Sequence, residues 1–412
     1  MRLVLVAPRF GEGLEGGTKR VVRAQARLVA AAGHDVLVVA GSDAAHAGRD
    51  VEHVEVDGLE VARLPRRADE RFDLLLDWPR LRARVRGLAR GADAVWLHHW
   101  ATLGGGLVRE LAREATVSLW LHDAFAVCPR FFRHPPAGHA CPDDSRLAAC
   151  VGCVREAAPE RDERVVAVAL ARRQAEFRAE LVAAARVVVP SRALAARVRV
   201  ALDLPGLAPR VLAHGAWLPA RTPRPAPRPA WDGGRPLRLL HLGHLSRAKG
   251  ILDLVRALST LPRGSAELDL AGSVLEDDLE GAVRALADGV PVRFRGPYDG
   301  PRLAELARAA DLAAFPSLLE ESYGLALEEA LDLGLPAWVA DRGALPEHLA
   351  ARGGAGRVLP AGDPAAWAAA LRGLLERPAQ LALEAGRAAP RASDAGALLE
   401  LLTPAGAGRA GA

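Results

Sequence analysis

The chain has 412 residues, half of them apolar and a quarter charged, with a formal net charge of +4. That length exceeds one ordinary hydrophobic core and predicts two domains. The absence of long polar or single-sign tracts excludes a disordered or fibrous chain. The apolar start, Met1 to Pro8, is too short for a signal peptide, and no later run approaches the ~18 apolar residues of a membrane span, so a cytoplasmic location is expected.

Short β-branched runs alternate with amphipathic stretches from the first residues onward. Leu3–Ala7, a helix over 18–32 and Asp35–Ala40 make a βαβ signature that predicts a parallel sheet. Further strands are expected at 51–56, 59–64, 94–98, 117–122, 187–190 and 211–213, with helices near 102–113, 160–185 and 191–201. The run from Pro219 to Pro229 holds five prolines and forms neither helix nor central strand, so 219–236 reads as a linker. The pattern then restarts, with strands at 237–242, 267–271, 292–295, 312–315, 337–340 and 358–360. Helices are expected from Gly250 and at 276–288, 301–309, 322–333 and 364–376. The fold class is therefore α/β, two doubly wound Rossmann-like domains over 1–218 and 237–385, closed by a helix and flexible tail over 386–412. In such sheets ligands bind beyond the carboxyl ends of the strands, which directs attention to post-strand loops.

Charge follows the same division: +6 over residues 1–218, +3 over 219–236 and −5 over 237–412. The basic first part suits an anionic partner such as a membrane surface or a lipid phosphate, whereas the acidic second part argues against a nucleic-acid groove.

Three loops carry candidate chemistry. After the first strand, Gly11-Glu12-Gly13-Leu14-Glu15-Gly16-Gly17 holds the spacing of a dinucleotide-binding loop. Pro8, Arg9 and Phe10 delay its first glycine, so it reads better as a Gly-rich loop bringing backbone N–H groups to an anion or a sugar, or as a structural turn. In the second half, Gly243-His244-Leu245-Ser246-Arg247-Ala248-Lys249-Gly250 joins a strand to a helix and places Lys249 beside a positive helix end, where a pyrophosphate can be held without metal. A solvated surface lysine is the plain alternative. Then Phe315 to Ala330 ends a strand and opens a helix with Glu320, Glu321, Glu328 and Glu329. Two of these, eight apart, suit hydroxyls of a sugar and a ribose, but the spacing alone leaves the register open between Glu320/Glu328 and Glu321/Glu329.

These segments together resemble the retaining glycosyltransferases of the two-domain GT-B fold called family 4, also described as glycosyl transferases group 1. Gly16-Gly17 is similar to that family's N-terminal glycine pair, Gly33-His34-Asp35-Val36 to its GHxV segment, and Val211 to Ala216 to the segment before its hinge. Gly243…Lys249-Gly250 resembles GrlxxxKG. Pro316-Ser317 through Glu329-Ala330 resembles PSxxExfGlxxxEA, followed by GxP at Gly334-Leu335-Pro336. Tyr323-Gly324-Leu325 in place of fGl sets the register at Glu321 and Glu329. The resemblance implies that Lys249 binds the donor diphosphate, Glu329 the ribose and Glu321 the transferred sugar, with Gly16, Gly17, Gly243, His244, Arg247, Tyr323, Gly324 and Leu325 completing the donor site. It also matches His122, in Leu121-His122-Asp123, to the family's first-domain histidine near the sugar. The chain departs from the pattern at His244, where the family has Arg and Arg247 is the candidate replacement. It departs again at His214, where the family has Asn, and in a tail short of the family's closing aromatic segment.

All four cysteines, Cys128, Cys141, Cys150 and Cys153, fall within 128–153, in a stretch with few helical signals. The closing CxxC suits a structural zinc held by four thiolates, with His134 or His139 as substitute ligands; two disulfides and unpaired thiols are the other readings. Insertions of this kind also occur in part of the resembling family. Between Pro79 and Arg90, Leu81, Val85 and Leu88 form an apolar stripe among arginines, fit to pack on the sheet or to lie on an anionic bilayer.

The expected function is transfer of a sugar from a nucleoside-diphosphate sugar to a hydroxyl acceptor, whether a glycan, a lipid-linked acceptor or a small molecule. It proceeds with retention at the anomeric carbon and no cofactor, as the lack of any Asp-x-Asp sequence suits metal-independent donor binding. A nicotinamide-dependent oxidoreductase, resting on the Gly11–Gly16 spacing, and a non-catalytic sugar-binding or assembly protein are the competing readings.

Overall fold

The structure is a computed structural model that describes residues 1–11, 16–43, 46, 49–65, 77–101, 103–134, 141, 147–223, 230–392 and 394–402. It divides into two compact units, Met1–Leu218 with Ser393–Ala412, and Pro219–Ala392.

The first unit is built on an eight-stranded sheet. Its strands are β1 (Arg2–Ala7), β2 (Asp35–Ser42), β3 (Glu52–Val56), β4 (Leu59–Pro65), β5 (Ala94–Leu97), β6 (Thr116–Trp120), β7 (Arg186–Val189) and β8 (Arg210–Val211). They lie in the order β3-β4-β2-β1-β5-β6-β7-β8. All pairings are parallel except β3 with β4. The helices are α1 (Gly17–Ala31), α2 (Pro79–Ala89), α3 (Leu107–Leu111), α4 (Leu147–Ala157), α5 (Glu163–Ala183) and α6 (Arg192–Ala201). One face of the sheet, with Val4, Val6, Leu37, Val39, Val95 and Leu97, packs against Leu81 and Val85 of α2, Leu107 of α3 and Phe177 of α5. Each such side chain contributes about 1.5–3 kcal/mol on full burial. Because Leu81 and Val85 are buried there and Leu88 packs against the same cluster, the apolar stripe of α2 is not offered to a bilayer.

The second unit is a six-stranded, fully parallel sheet. Its strands are β9 (Leu237–Leu242), β10 (Ala266–Ala271), β11 (Val292–Gly296), β12 (Leu312–Phe315), β13 (Ala337–Ala340) and β14 (Gly356–Leu359), in the order β11-β10-β9-β12-β13-β14. The helices are α7 (Ile251–Ser259), α8 (Leu279–Leu286), α9 (Gly300–Ala309), α10 (Leu325–Asp332), α11 (Leu345–Ala351), α12 (Pro364–Glu376) and α13 (Ala379–Gly386). Strand periodicity sorts the two cores: Leu237 and Leu239 of β9 and Leu312 and Ala314 of β12 face α7 and α12, while Leu240, Leu242, Ala313 and Phe315 face α9 and α10. Strands β12 and β13 are buried throughout and read as continuous apolar runs, whereas the edge strands β11 and β14 stay partly exposed and carry arginines.

Two differences from the sequence reading bear on the site. The stretch expected to be poor in helix contains α4, which carries Cys150 and Cys153. Its Val151 and Val154 are buried against Val166, Ala169 and Leu170 of α5, so tertiary packing completes a helix whose local signal is weak. Helix α10 begins at Leu325, not 322, because Gly324 at its N-cap takes φ +89° and turns the chain sharply. Near the end, α14 (Gly396–Leu399) runs into a 3-10 turn, Glu400–Leu402, and is held to the first unit by Asp394 N–H to the Ala216 carbonyl at 2.5 Å and by the Arg210–Glu400 ion pair at 2.6 Å; the tail expected beyond it, 403–412, lies outside the described residues. Among the described residues no helix is long and apolar enough to cross a membrane.

Candidate active site

In the second unit the chain runs outward from β9 through β10 to β11, then returns to the other side of β9 at β12. The gap between the ends of β9 and β12 is therefore the switch point of the sheet. The loop after β9 ends in a 3-10 turn, Arg247–Lys249, and Gly250. A Cβ at Gly250 would lie 1.9 Å from the Pro316 carbonyl oxygen, so only glycine lets the two post-strand loops meet, and Leu318 N–H to the Ala248 carbonyl at 2.9 Å ties them. Lys249 Nζ thereby reaches Glu321 Oε1 in a close ion pair, and Ser317 Oγ donates to the same oxygen at 3.0 Å. The loop after β13 cradles Glu321 from behind: Ala344 N–H donates to its carbonyl at 2.7 Å, and any Cβ at Gly343 would strike its backbone at 2.4 Å. Beneath the pair, His241 Nδ1–H donates to the Ala314 carbonyl at 2.9 Å. Burial holds that ring down at about 4, with a further push from Lys249, so it is neutral at pH 7.

The adjacent glutamates of α10 serve different ends. Glu328 lies in the core, accepting from Tyr323 Oη, His348 Nε2 at 2.7 Å and Arg352 Nη1. Burial raises its pKa, but the hydrogen bonds and charges of these partners outweigh that and hold the carboxyl at about 2. Glu329 instead accepts from Tyr298 Oη at 3.0 Å and faces Arg221 at 3.4 Å. The Arg221 guanidinium lies 5.2 Å from the Tyr298 ring centroid and donates to the Tyr298 carbonyl at 3.2 Å. The two tyrosines of the chain thus cap one glutamate each. Of the two buried neighbours, Glu328 is therefore held by Tyr323, His348 and Arg352, and Glu329 by Tyr298 and Arg221.

The other expected donor residues divide. Gly243 (φ +113°) and half-buried His244 line the loop before Lys249, and burial plus Lys249 lowers the His244 pKa. Arg247, expected to replace the missing arginine, pairs with Glu276 and Asp278, both at 2.7 Å, which raises its own pKa. Tyr323 turns inward, stacked on His348 with centroids 4.3 Å apart, so it braces the loop, while Gly324 and Leu325 start α10. Arg221, Tyr298 and Ser317 were not anticipated. Arg221 hid in the proline-rich stretch expected to be a bare linker, and the rarity of tyrosine was the one sequence signal for Tyr298.

In the first unit the switch point lies between β1 and β5. Gly16 caps α1 and Gly17 opens it; a Cβ on Gly16 would meet nothing within 4 Å, so the chain's own packing does not demand glycine there. Residues 12–15 of the Gly-rich loop lie outside the described residues. Beyond β5 and β6 stands a row of buried histidines: His98 Nδ1 is 3.0 Å from His122 Nε2, and His122 stacks on His214 with centroids 5.9 Å apart. Burial lowers His98 well below its ordinary value and His122 to about 4. His99 Nε2 lies 3.3 Å from Asp123. Cys128, Cys141, Cys150 and Cys153 are half-buried thiols, with no disulfide among the described residues. Burial first, and then the neighbouring thiols, push Cys150 up to about 11. Burial likewise lifts Cys153 to about 12, partly offset by Arg130. Among the described residues no three His, Cys, Asp or Glu side chains are arranged to hold a metal ion; His139 lies outside them.

Residues 236–377 match the family described as Glycosyl transferases group 1. The second unit carries a glycosyl transferases group 1 domain. D-inositol 3-phosphate glycosyltransferase 1 of Catenulispora acidiphila is 37% identical over 164 residues, 36% of this chain and 38% of that protein. The phosphatidyl-myo-inositol mannosyltransferase of Mycolicibacterium smegmatis is 36% identical over 31% of this chain and 33% of its own length. The match thus spans between 33% and 38% of the length of these two relatives. Over the whole chain the fold is that of sucrose-phosphate synthase from Thermosynechococcus elongatus (TM-score 0.64, 20% identity, covering 94% of this chain and 92% of that one). It is also that of HepE from Anabaena in complex with UDP and glucose (TM-score 0.60, 17% identity, covering 97% and 98%). The chain has the two-domain GT-B fold.

Proposed function

We propose that the protein is a retaining glycosyltransferase that moves a sugar from a nucleoside-diphosphate sugar to a hydroxyl acceptor without a metal. The observation that carries this is the Lys249–Glu321 pair, with Glu329 beside it, at the switch point of the glycosyl transferases group 1 domain. In this reading Lys249 and the first turn of α7 hold the diphosphate, Glu329 exchanges Arg221 and Tyr298 for the ribose hydroxyls, and Glu321 accepts from hydroxyls of the transferred sugar. The bond between the anomeric carbon and the phosphate oxygen breaks, and the acceptor oxygen bonds to that carbon on the same face. The acceptor proton passes to the departing phosphate, whose growing charge Lys249 stabilises more in the transition state than in the ground state. In the same reading His122 contacts a sugar hydroxyl.

UDP-glucose is the first donor to try, because HepE is bound to UDP and glucose, and inositol phosphates are the first acceptors, from the names of the relatives. The purified chain is expected to release nucleoside diphosphate from at least one nucleotide sugar at the same rate with and without EDTA, giving a product of retained configuration by NMR. Failure to bind any nucleotide sugar in a thermal-shift screen refutes the reading.

A further inference from the structure

The first unit holds a feature that donor binding does not need. Strands β5 and β6 run parallel in the register Ala94↔Thr116 to Leu97↔Leu119. Their ends therefore deliver His98 and His122 to neighbouring positions beside the switch point, where ligands approach such sheets. His98 is anchored by its backbone N–H to the Val6 carbonyl at 2.9 Å and lies against Trp120, with ring centroids 5.7 Å apart. Its own ring is wholly buried.

A separation of 3.0 Å between His98 Nδ1 and His122 Nε2 requires one proton between them, since two would repel and none would leave two lone pairs opposed. The low pKa values of both rings keep the pair neutral at pH 7. Two arrangements remain. If His122 Nε2–H donated, His98 would carry its own proton on Nε2, which is buried with no hydrogen-bond partner among the described residues. A buried N–H without an acceptor is costly and rare. If His98 Nδ1–H donates, only a ring lone pair is left unmatched. We infer that His98 is a positioning residue that donates from Nδ1 to His122, fixing the His122 ring and its proton on Nδ1, so that His122 meets a ligand oxygen as a donor. This rests on the reading of His122 as a sugar-side residue; the tautomer itself does not.

The test is imidazole ¹⁵N NMR of the full chain at pH 7.5, with His122 assigned by loss of its signals in His122→Asn. The expected result is a pyrrole-like Nδ1 and a pyridine-like Nε2 on His122. A protonated Nε2 overturns the proposal. Asn places an amide N–H₂ where Nδ1 stood, so His98→Asn should preserve the tautomer and turnover, whereas His98→Leu should mix the tautomers. His98→Leu should also lower kcat about three- to ten-fold, the worth of one hydrogen bond, with donor KM unchanged. Equal behaviour of the two variants at matched thermal stability counts against the positioning role. If the wild-type chain transfers no sugar, the proposed function fails while the NMR result still decides the tautomer.

Discussion

At the strand ends of the second sheet the side chains are charged and paired: Lys249 with Glu321, Arg221 with Glu329. At those of the first sheet they are stacked and buried histidines, His98, His122 and His214, and burial keeps the first two neutral. Both units use the same doubly wound scaffold, so the difference lies in what each is built to hold. In the proposed reading a phosphate takes the place of Glu321 beside Lys249 at little desolvation cost, because one ion pair replaces another. Neutral rings suit hydroxyls, which offer hydrogen bonds without charge.

The contrast can be broken most sharply at Glu321. Glu321→Gln keeps the shape and removes the charge, and is expected to lower turnover about 10²- to 10³-fold with the melting temperature nearly unchanged. Steady-state kinetics with the donor found by screening would show a smaller effect if the charge were incidental. The neutral side predicts an acid weakness. A histidine held down when folded takes its proton more readily unfolded, so the stability it lends is full above pH 6.5 and falls as pH drops toward about 4, by up to about 3 kcal/mol for His122. His98 acts in the same direction. In the second unit Glu328 works lower down, its contribution held above pH 4.5 and lost toward about 2, although His241 adds a histidine-type loss there too. Urea unfolding from pH 7.5 to 4, followed by a probe in each unit, should show the first unit failing earlier.

The two glutamates of α10 sharpen the contrast within one helix. Glu328→Gln should cost about 3 kcal/mol in denaturant midpoints by leaving Arg352 and His348 under-paired, with little change in donor KM, whereas Glu329→Gln should do the reverse. The smallest effect is expected at Arg221. Arg221→Ala removes one partner of Glu329 and should tighten nucleotide binding about two- to five-fold by calorimetry, the worth of a partly exposed ion pair.

The donor half was the more legible in sequence because its chemistry is local. Lys249 and Gly250 are neighbours, Glu321 and Glu329 are eight apart, and periodicity located each strand that presents them. What stayed hidden is contact across the sheet. His98 and His122 are separated by 24 residues, and nothing in Leu97-His98-His99-Trp100 says which ring turns toward β6. Arg221 lies 108 residues from Glu329, inside a stretch whose prolines masked it. The partners of Arg247 were hidden in the same way: Glu276 and Asp278 are supplied by the loop after β10.

Lysine scarcity gives the Lys249–Glu321 pair a use in chemical labelling. The chain has two lysines, Lys19 and Lys249, so an amine-selective reagent has only these and the N-terminal amine to choose among. Because Lys249 is three-quarters shielded and bound to a carboxylate, its acylation rate reports whether that pair is closed, opened or replaced by a phosphate. Mass spectrometry of one labelled peptide therefore reads occupancy of the proposed donor site, with no engineered probe.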